Sequence, residues 1–180
     1  MKIARVMGFV AAALVGTGAQ ALDLRPAGVF VEGGVAERAS YSLTAGVSWP
    51  WAWRRQGPAG ELSGYTEGFV SHWNARAPGG RESLTQIGML PMVRNRFGSG
   101  ASDWFVEAGI GVSFTDRLYT TTAKRFSTRF NFIDVIGVGR SFGAGRQQEV
   151  TLRITHLSNA GIRRPNPGEN FLQLRYSTAF

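Results

Sequence analysis

The chain of 180 residues has no cysteine. That excludes disulfide staples, thiolate metal sites and a cysteine nucleophile. It has only two histidines, His72 and His156, too few for a multi-histidine metal centre, and no metal or cofactor is expected. Beyond residue 22 no helical period stands out. The one long apolar run, Val6 to Val15, is interrupted by Gly8 and falls short of the roughly 20 residues a membrane-spanning helix needs. Lys2 and Arg5 precede that run, and Gly16-Thr17-Gly18-Ala19-Gln20-Ala21 follows it, ending in a small-x-small pattern. This order predicts a signal peptide over 1–21, cut after Ala21, and a single domain over 22–180.

The formal charge is +8, or +6 once Lys2 and Arg5 are removed with the leader. Export argues against nucleic acid as the partner. An anionic membrane surface, such as one rich in lipid phosphates, suits the basic balance better.

What the mature region does contain is alternation, the period of a β-strand. In Tyr41–Trp49 one face reads Tyr41, Leu43, Ala45, Val47, Trp49 and the other Ser42, Thr44, Gly46, Ser48. Trp104–Thr115 repeats the pattern. Eight segments are predicted, near 28–36, 40–49, 61–74, 83–97, 104–115, 130–142, 149–158 and 170–180, separated by turn-rich stretches such as Gln56-Gly57-Pro58-Ala59-Gly60 and Ala77-Pro78-Gly79-Gly80. Segments 61–74 and 130–142 alternate poorly, as a bulge that resets parity would make them.

The apolar faces carry aromatics near strand ends (Tyr41, Trp49, Trp104, Phe114), and the opposite faces carry Glu32, Glu107, Arg153 and Arg175 among small residues. The last strand alternates to a terminal Phe180. Together these predict an all-β fold: an eight-stranded antiparallel transmembrane β-barrel of outer-membrane type, with apolar side chains facing lipid and opposite charges paired in the lumen. A soluble up-and-down barrel of lipocalin type is the competing architecture. An even strand number with short periplasmic turns puts both termini inside, so the seventh strand ends and the eighth begins near the outer leaflet.

The seventh strand runs Val150, Leu152, Ile154 along its apolar face, and counting on by twos adds His156 and Ser158. Residues two apart on a strand stand roughly 7 Å apart, close enough for an imidazole and a hydroxyl to lean together. That pair is the minimum for nucleophilic acyl transfer. His-x-Ser alone is a weak signal. Its place at the lipid-facing end of an apolar stripe is odd for packing and useful for attacking a lipid in the outer leaflet. Glu169, entering the eighth strand, and its neighbour Asn170 are both candidates for the group that holds the histidine tautomer. Asn159-Ala160-Gly161 and Asn166 offer oxyanion donors, and Arg163-Arg164 could clamp phosphates. Ser71-His72 also pairs the two residue types, but sequence neighbours point to opposite faces, which argues against a second site. Lys124-Arg125, in the long loop after the fifth strand, read as surface charge contacting anionic lipid.

The stretch from His156-Leu157-Ser158-Asn159-Ala160-Gly161 through Asn166 to Glu169 resembles the active-site segment of the lipid A 3-O-deacylase (PagL) family. The resemblance implies a signal peptide, an outer-membrane location in a Gram-negative bacterium and an eight-stranded barrel. It also implies hydrolysis of the ester-linked 3-hydroxyacyl chain at the 3-position of lipid A or lipopolysaccharide. His156 would be base, Ser158 nucleophile and Glu169 orienter, with the Gly161 N–H and Asn166 side chain as oxyanion donors. In the family the glutamate falls one residue further on, where this chain has Asn170; a loop one residue shorter would account for that. Two other readings remain: a phospholipase-A-type esterase, for which the chain is too short to build twelve strands, and a structural or adhesive barrel without chemistry. The sequence leaves oligomeric state open, a homodimer included.

Overall fold

The computed structural model describes residues 25–180; the expected signal peptide lies outside them. Eight strands, β1 (Gly28–Ala36), β2 (Ser40–Gly57), β3 (Gly60–Ala77), β4 (Gly80–Arg96), β5 (Trp104–Thr115), β6 (Phe130–Phe142), β7 (Gln148–Ser158) and β8 (Glu169–Ala179), pair antiparallel in sequence order. β8 returns to β1, with Glu32 opposite Arg175, so the sheet closes into a barrel without an edge. Closure matters because an unpaired edge cannot be hydrated in lipid.

The alternation read from the sequence is the alternation of the wall. On β1, Phe30, Glu32 and Gly34 are buried while Val29, Val31 and Val35 face out. Leu43, Ile136 and Leu174 are 69%, 60% and 60% exposed on the outer face. In water each such side chain would forgo about 1.5–3 kcal/mol of burial; in a bilayer the same exposure is favourable. Tyr41, Phe114 and Phe130 ring one end of this apolar face, and Trp104, Phe142 and Tyr176 ring the other. No helix of the described residues is long and apolar enough to cross a membrane.

The lumen is filled through its middle and through one end, and at the end near Gly28 and Thr178 it opens into a cavity of about 510 Å³ lined by Trp51, Tyr65, Arg94 and Arg175 among others. Its middle layer is a charge network. Arg153 donates to Glu67 (2.8 and 3.1 Å) and to Glu107 (2.6 and 2.9 Å), and Arg175 donates to Glu67. Arg94 joins from β4 onto Glu107 and Glu149. Pairing lets these ions sit in a narrow interior, where an unpaired one would cost several kcal/mol. Toward one mouth the lumen turns apolar: Trp73, Leu84, Ile133, Val135, Leu157 and Phe171 pack there. Loop 116–129 folds down onto them, with Tyr119 and Phe126 buried against Trp73 and each other. This is the mouth with the long loops, 116–129 and 159–168. The opposite mouth has the start of β1 and the end of β8, as a periplasmic side does.

Two expectations about register change. β6 pairs without a break on both sides, and β3 is continuous against β4. The one register shift lies on β2, between Pro50 and Arg54, where proline has no N–H for the ladder. β6 alternates poorly for another reason: its inward Ile133 and Val135 belong to the apolar mouth, while its outward face carries Asp134.

Candidate active site

β7 rises to the outer mouth with Val150, Leu152 and Ile154 outward and Thr151, Arg153 and Thr155 inward. His156 and Ser158 continue the outward row and are half-buried, with Leu157 turned into the core between them. The structure thus brings the two residues to the same lipid-facing rim. β8 then supplies the next side chain on that face: Asn170 is the ladder partner of His156. The His156 Nδ1–H donates to Asn170 Oδ1 at 2.7 Å. This fixes the ring and leaves Nε2 for the proton of a hydroxyl. Ser158 Oγ accepts a long contact from the Ala160 N–H, 3.4 Å, and makes no hydrogen bond with His156 in this resting geometry. Such bonds commonly tighten only with substrate.

Glu169 does not reach the imidazole, which corrects the first choice made from sequence. It is the partner of Leu157, so it points into the barrel, 1% exposed. Strand parity decides this: adjacent residues face opposite ways, and only Asn170 shares the outer face with His156. Glu169 instead accepts the Tyr119 hydroxyl at 2.7 Å and Lys124 Nζ at 2.9 Å. Lys124 also meets Glu37 at 3.2 Å, so it is an internal anchor of loop 116–129, which corrects the expectation of surface charge on lipid; Arg125 is exposed. Burial works against the Lys124 ammonium, but the bonds and charges of Glu169 and Glu37 outweigh it and hold its pKa above the ordinary value. Burial, reinforced by Glu169 against an opposing bond from Ser40, pushes the Tyr119 phenol up.

The loop after Ser158 is built on Asn159. That residue is 1% exposed and fully committed: its Nδ2 donates to Ser127 Oγ (3.0 Å) and the Arg163 carbonyl (2.8 Å). Its Oδ1 accepts the Gly161 N–H (2.9 Å), and its own N–H donates to Asn166 Oδ1 (3.0 Å). Asn159 therefore shapes the loop and does not face substrate. The Gly161 N–H, expected as an oxyanion donor, is occupied by Asn159. Asn166 takes part in this loop through its Oδ1, and the Ala160 N–H points to the Ser158 hydroxyl at 3.4 Å. Arg163 and Arg164 stand exposed on the outer rim, and Ser127 ties loop 116–129 to this loop through the Arg163 carbonyl at 2.8 Å.

Three features escaped the sequence reading. Gly168 covers the imidazole: its φ is +65°, and a Cβ there would lie 2.7 Å from His156 Cε1. Ser127, far away in sequence, braces the loop. Asp134 is the partner of His156 on the other flanking strand, β6, and shares its outward face. A lone carboxylate in the row Phe130, Phe132, Asp134, Ile136, Val138 is the signal that could have found it. At the second serine–histidine pair, Ser71 turns inward to Thr44 Oγ1 (2.7 Å) while His72 is exposed outside, so the two never meet.

Fold and site define a class: a membrane-spanning β-barrel that presents a serine and a histidine together to the bilayer. A family model described as lipid A 3-O-deacylase (PagL) matches residues 38–179. The chain is 32% identical to the lipid A deacylase PagL of Bordetella bronchiseptica over 183 residues, 97% of this chain and 95% of that protein. It is also 32% identical to the lipid A deacylase PagL of Pseudomonas aeruginosa over 146 residues, 79% and 80% of the two chains. A crystal structure of the outer membrane enzyme PagL superposes with a TM-score of 0.74 at 27% identity, covering 86% of this chain and 100% of that one. The protein belongs to the lipid A 3-O-deacylase family.

Proposed function

We propose that the protein is an outer-membrane esterase that releases the ester-linked 3-hydroxyacyl chain from the 3-position of lipid A, using Ser158, His156 and Asn170. The observation that carries this is the row on the outer face: Asn170 holding His156 Nδ1 at 2.7 Å, with Ser158 two residues along the same face. These groups stand on the outward rows of β7 and β8, so a substrate meets them from the bilayer side, where lipid A lies. Ser158 Oγ attacks the acyl carbonyl carbon and its proton passes to His156 Nε2. The Asn166 amide and the Ala160 N–H are the donors assigned to the oxyanion in this scheme. The carbon–oxygen bond to the sugar breaks, and His156 returns the proton to the sugar oxygen. Water, deprotonated by His156, then attacks the acyl-serine and frees the fatty acid. Arg163 and Arg164 suit the phosphates of the sugar headgroup.

A serine–histidine–asparagine set also resembles that of outer-membrane phospholipase A, so the substrate needs a direct test. Mass spectrometry of lipid A from cells expressing the wild type should show loss of one hydroxyacyl chain. Ser158→Ala and His156→Ala should leave lipid A intact. Unchanged lipid A with assembled wild-type barrel, or glycerophospholipid cleaved in its place, would overturn the assignment.

A further inference from the structure

His156 has two ladder partners, and only one entered the scheme above. On β8 it meets Asn170, a neutral acceptor. On β6 it meets Asp134, half-buried and on the same outward face. Side chains directly opposite across antiparallel strands have Cβ atoms roughly 4.5–5.5 Å apart. Asp134 is flanked on its own strand face by Phe132 and Ile136, and its partner on β5 is Ile110. It is the one carboxylate on the outer face of the eight strands among the described residues; Glu32, Glu61, Glu67, Glu82, Glu107, Glu149 and Glu169 all belong to the inward rows. A charge turned toward lipid is costly, and in such places it marks function with a partner to be named. Of the neighbours on this face, the only one able to become a cation is His156.

We infer that Asp134 is a positioning residue for catalysis: its carboxylate supplies the negative charge that stabilises the His156 imidazolium, while Asn170 fixes the ring's orientation. The usual third member of a serine–histidine set does both jobs with one carboxylate. Here the two jobs fall on opposite sides of the ring, one on each flanking strand. The other charged groups around His156 do not take this role. Glu169 lies behind the wall and is neutralised by Lys124. Arg163 and Arg164, exposed in the loop above, carry the opposite sign, as does exposed Arg129 at the entry to β6. Gly168 and Ser158 carry none.

This rests on the esterase reading of Ser158 and His156, and the test separates the two. Purified barrels in detergent with lipid A micelles are compared as wild type, Asp134→Asn, and Asp134→Asn with Asn170→Asp. Two charges about 6 Å apart at an interface of intermediate dielectric predict a loss in kcat of roughly 3- to 100-fold for Asp134→Asn. KM should be little changed, and the acid limb of the pH–rate profile should move to lower pH. Asn170→Asp, isosteric and now charged, should restore both rate and acid limb in the double variant. Asp134→Asn removes a charge from the lipid face, so assembly should hold; heat-modifiable migration on gels checks it. An unmoved acid limb, a change in KM alone, or no rescue by Asn170→Asp would overturn the role of Asp134 while leaving the esterase standing. A wild type that cleaves no lipid A ester would bring down both.

Discussion

Gly168→Ala should inactivate the protein without unfolding it, and the contrast with Gly161→Ala makes the reason visible. Both glycines lie in the loop after Ser158 with positive φ, +65° at Gly168 and +82° at Gly161. An alanine at either position carries the left-handed penalty of roughly 1–2 kcal/mol. They differ in what a methyl group would meet. At Gly161 there is nothing within 4 Å, whereas at Gly168 the new carbon would sit 2.7 Å from His156 Cε1 and 3.4 Å from Nε2. Carbon atoms prefer roughly 3.5–4.0 Å, so the imidazole must give way by about 1 Å. It is also held by Asn170 at 2.7 Å, so it cannot yield without losing that bond. A misplacement of about 1 Å costs on the order of 100-fold in rate. Initial rates of fatty-acid release from lipid A micelles should therefore fall about 100-fold for Gly168→Ala and less than about fivefold for Gly161→Ala. Heat-modifiable gel migration should be native for both. Equal rates for the two variants would refute the claim that Gly168 seats the catalytic ring, and a collapse at Gly161 alone would return its N–H to the oxyanion site.

Three further outcomes follow from the same geometry. Asn170→Asp should raise kcat by about 5- to 10-fold, because an ionic bond to imidazolium exceeds a neutral one by about 1 kcal/mol; stopped-time lipid A assays would measure it. Glu169→Gln should keep measurable esterase activity but loosen loop 116–129, seen as faster protease nicking there, since Glu169 holds Lys124 and Tyr119 rather than His156. The Lys124 pKa is raised in the folded state, so its contribution is whole below about 10.5, the ordinary value, and disappears as pH rises through the folded value. Protease sensitivity of that loop should accordingly appear only in strongly alkaline buffer, and at every pH in Lys124→Met.

Eight strands were legible in the sequence because a barrel wall enforces period two, clearly in most segments and weakly in 61–74 and 130–142, and the His156–Ser158 pair was legible because it continues such a row. What was hidden depends on pairing between strands. Asp134 and Asn170 gain meaning only from the β6–β7 and β7–β8 registers, which set them on either side of His156. The choice between Glu169 and Asn170 turned on a single residue of register, and register is where sequence is least informative. The loops were hidden for a different reason. Lys124 looks like surface charge until Glu169 and Glu37 are known to face it, and Asn159 looks like a substrate contact until Ser127 arrives from a loop 32 residues away. The β2–β3 ladder extends to Gly57↔Gly60, well beyond the predicted 40–49, because pairing resumes at Arg54, past the irregularity that follows Pro50.

The same residues that make the wall make the chemistry, and this explains why the lumen is built so differently from the outside. A barrel of eight strands has an interior just wide enough for side chains to fill. Here the middle is filled by ionic layers around Arg153 and the outer end by the aromatic plug of Trp73, Tyr119 and Phe126. His156, Ser158 and Asn170 stand on the outward rows, so the surface that a glycolipid meets at these groups is the outer wall. A site on that wall needs rigid support from behind. Leu157, between His156 and Ser158, is buried against the plug, and Glu169, beside Asn170, is bonded to the loop that forms it. Loosening the plug should therefore blunt catalysis without touching any group that meets substrate. Tyr119→Phe tests this directly: it deletes the 2.7 Å bond to Glu169 and the 2.9 Å contact with Ser40 while keeping the ring. A buried carboxylate that loses such a donor is worth about 1–3 kcal/mol. Loop 116–129 should then open more often, and kcat should fall several-fold with KM for lipid A unchanged. Native activity combined with a loosened loop would show that the wall holds the site unaided.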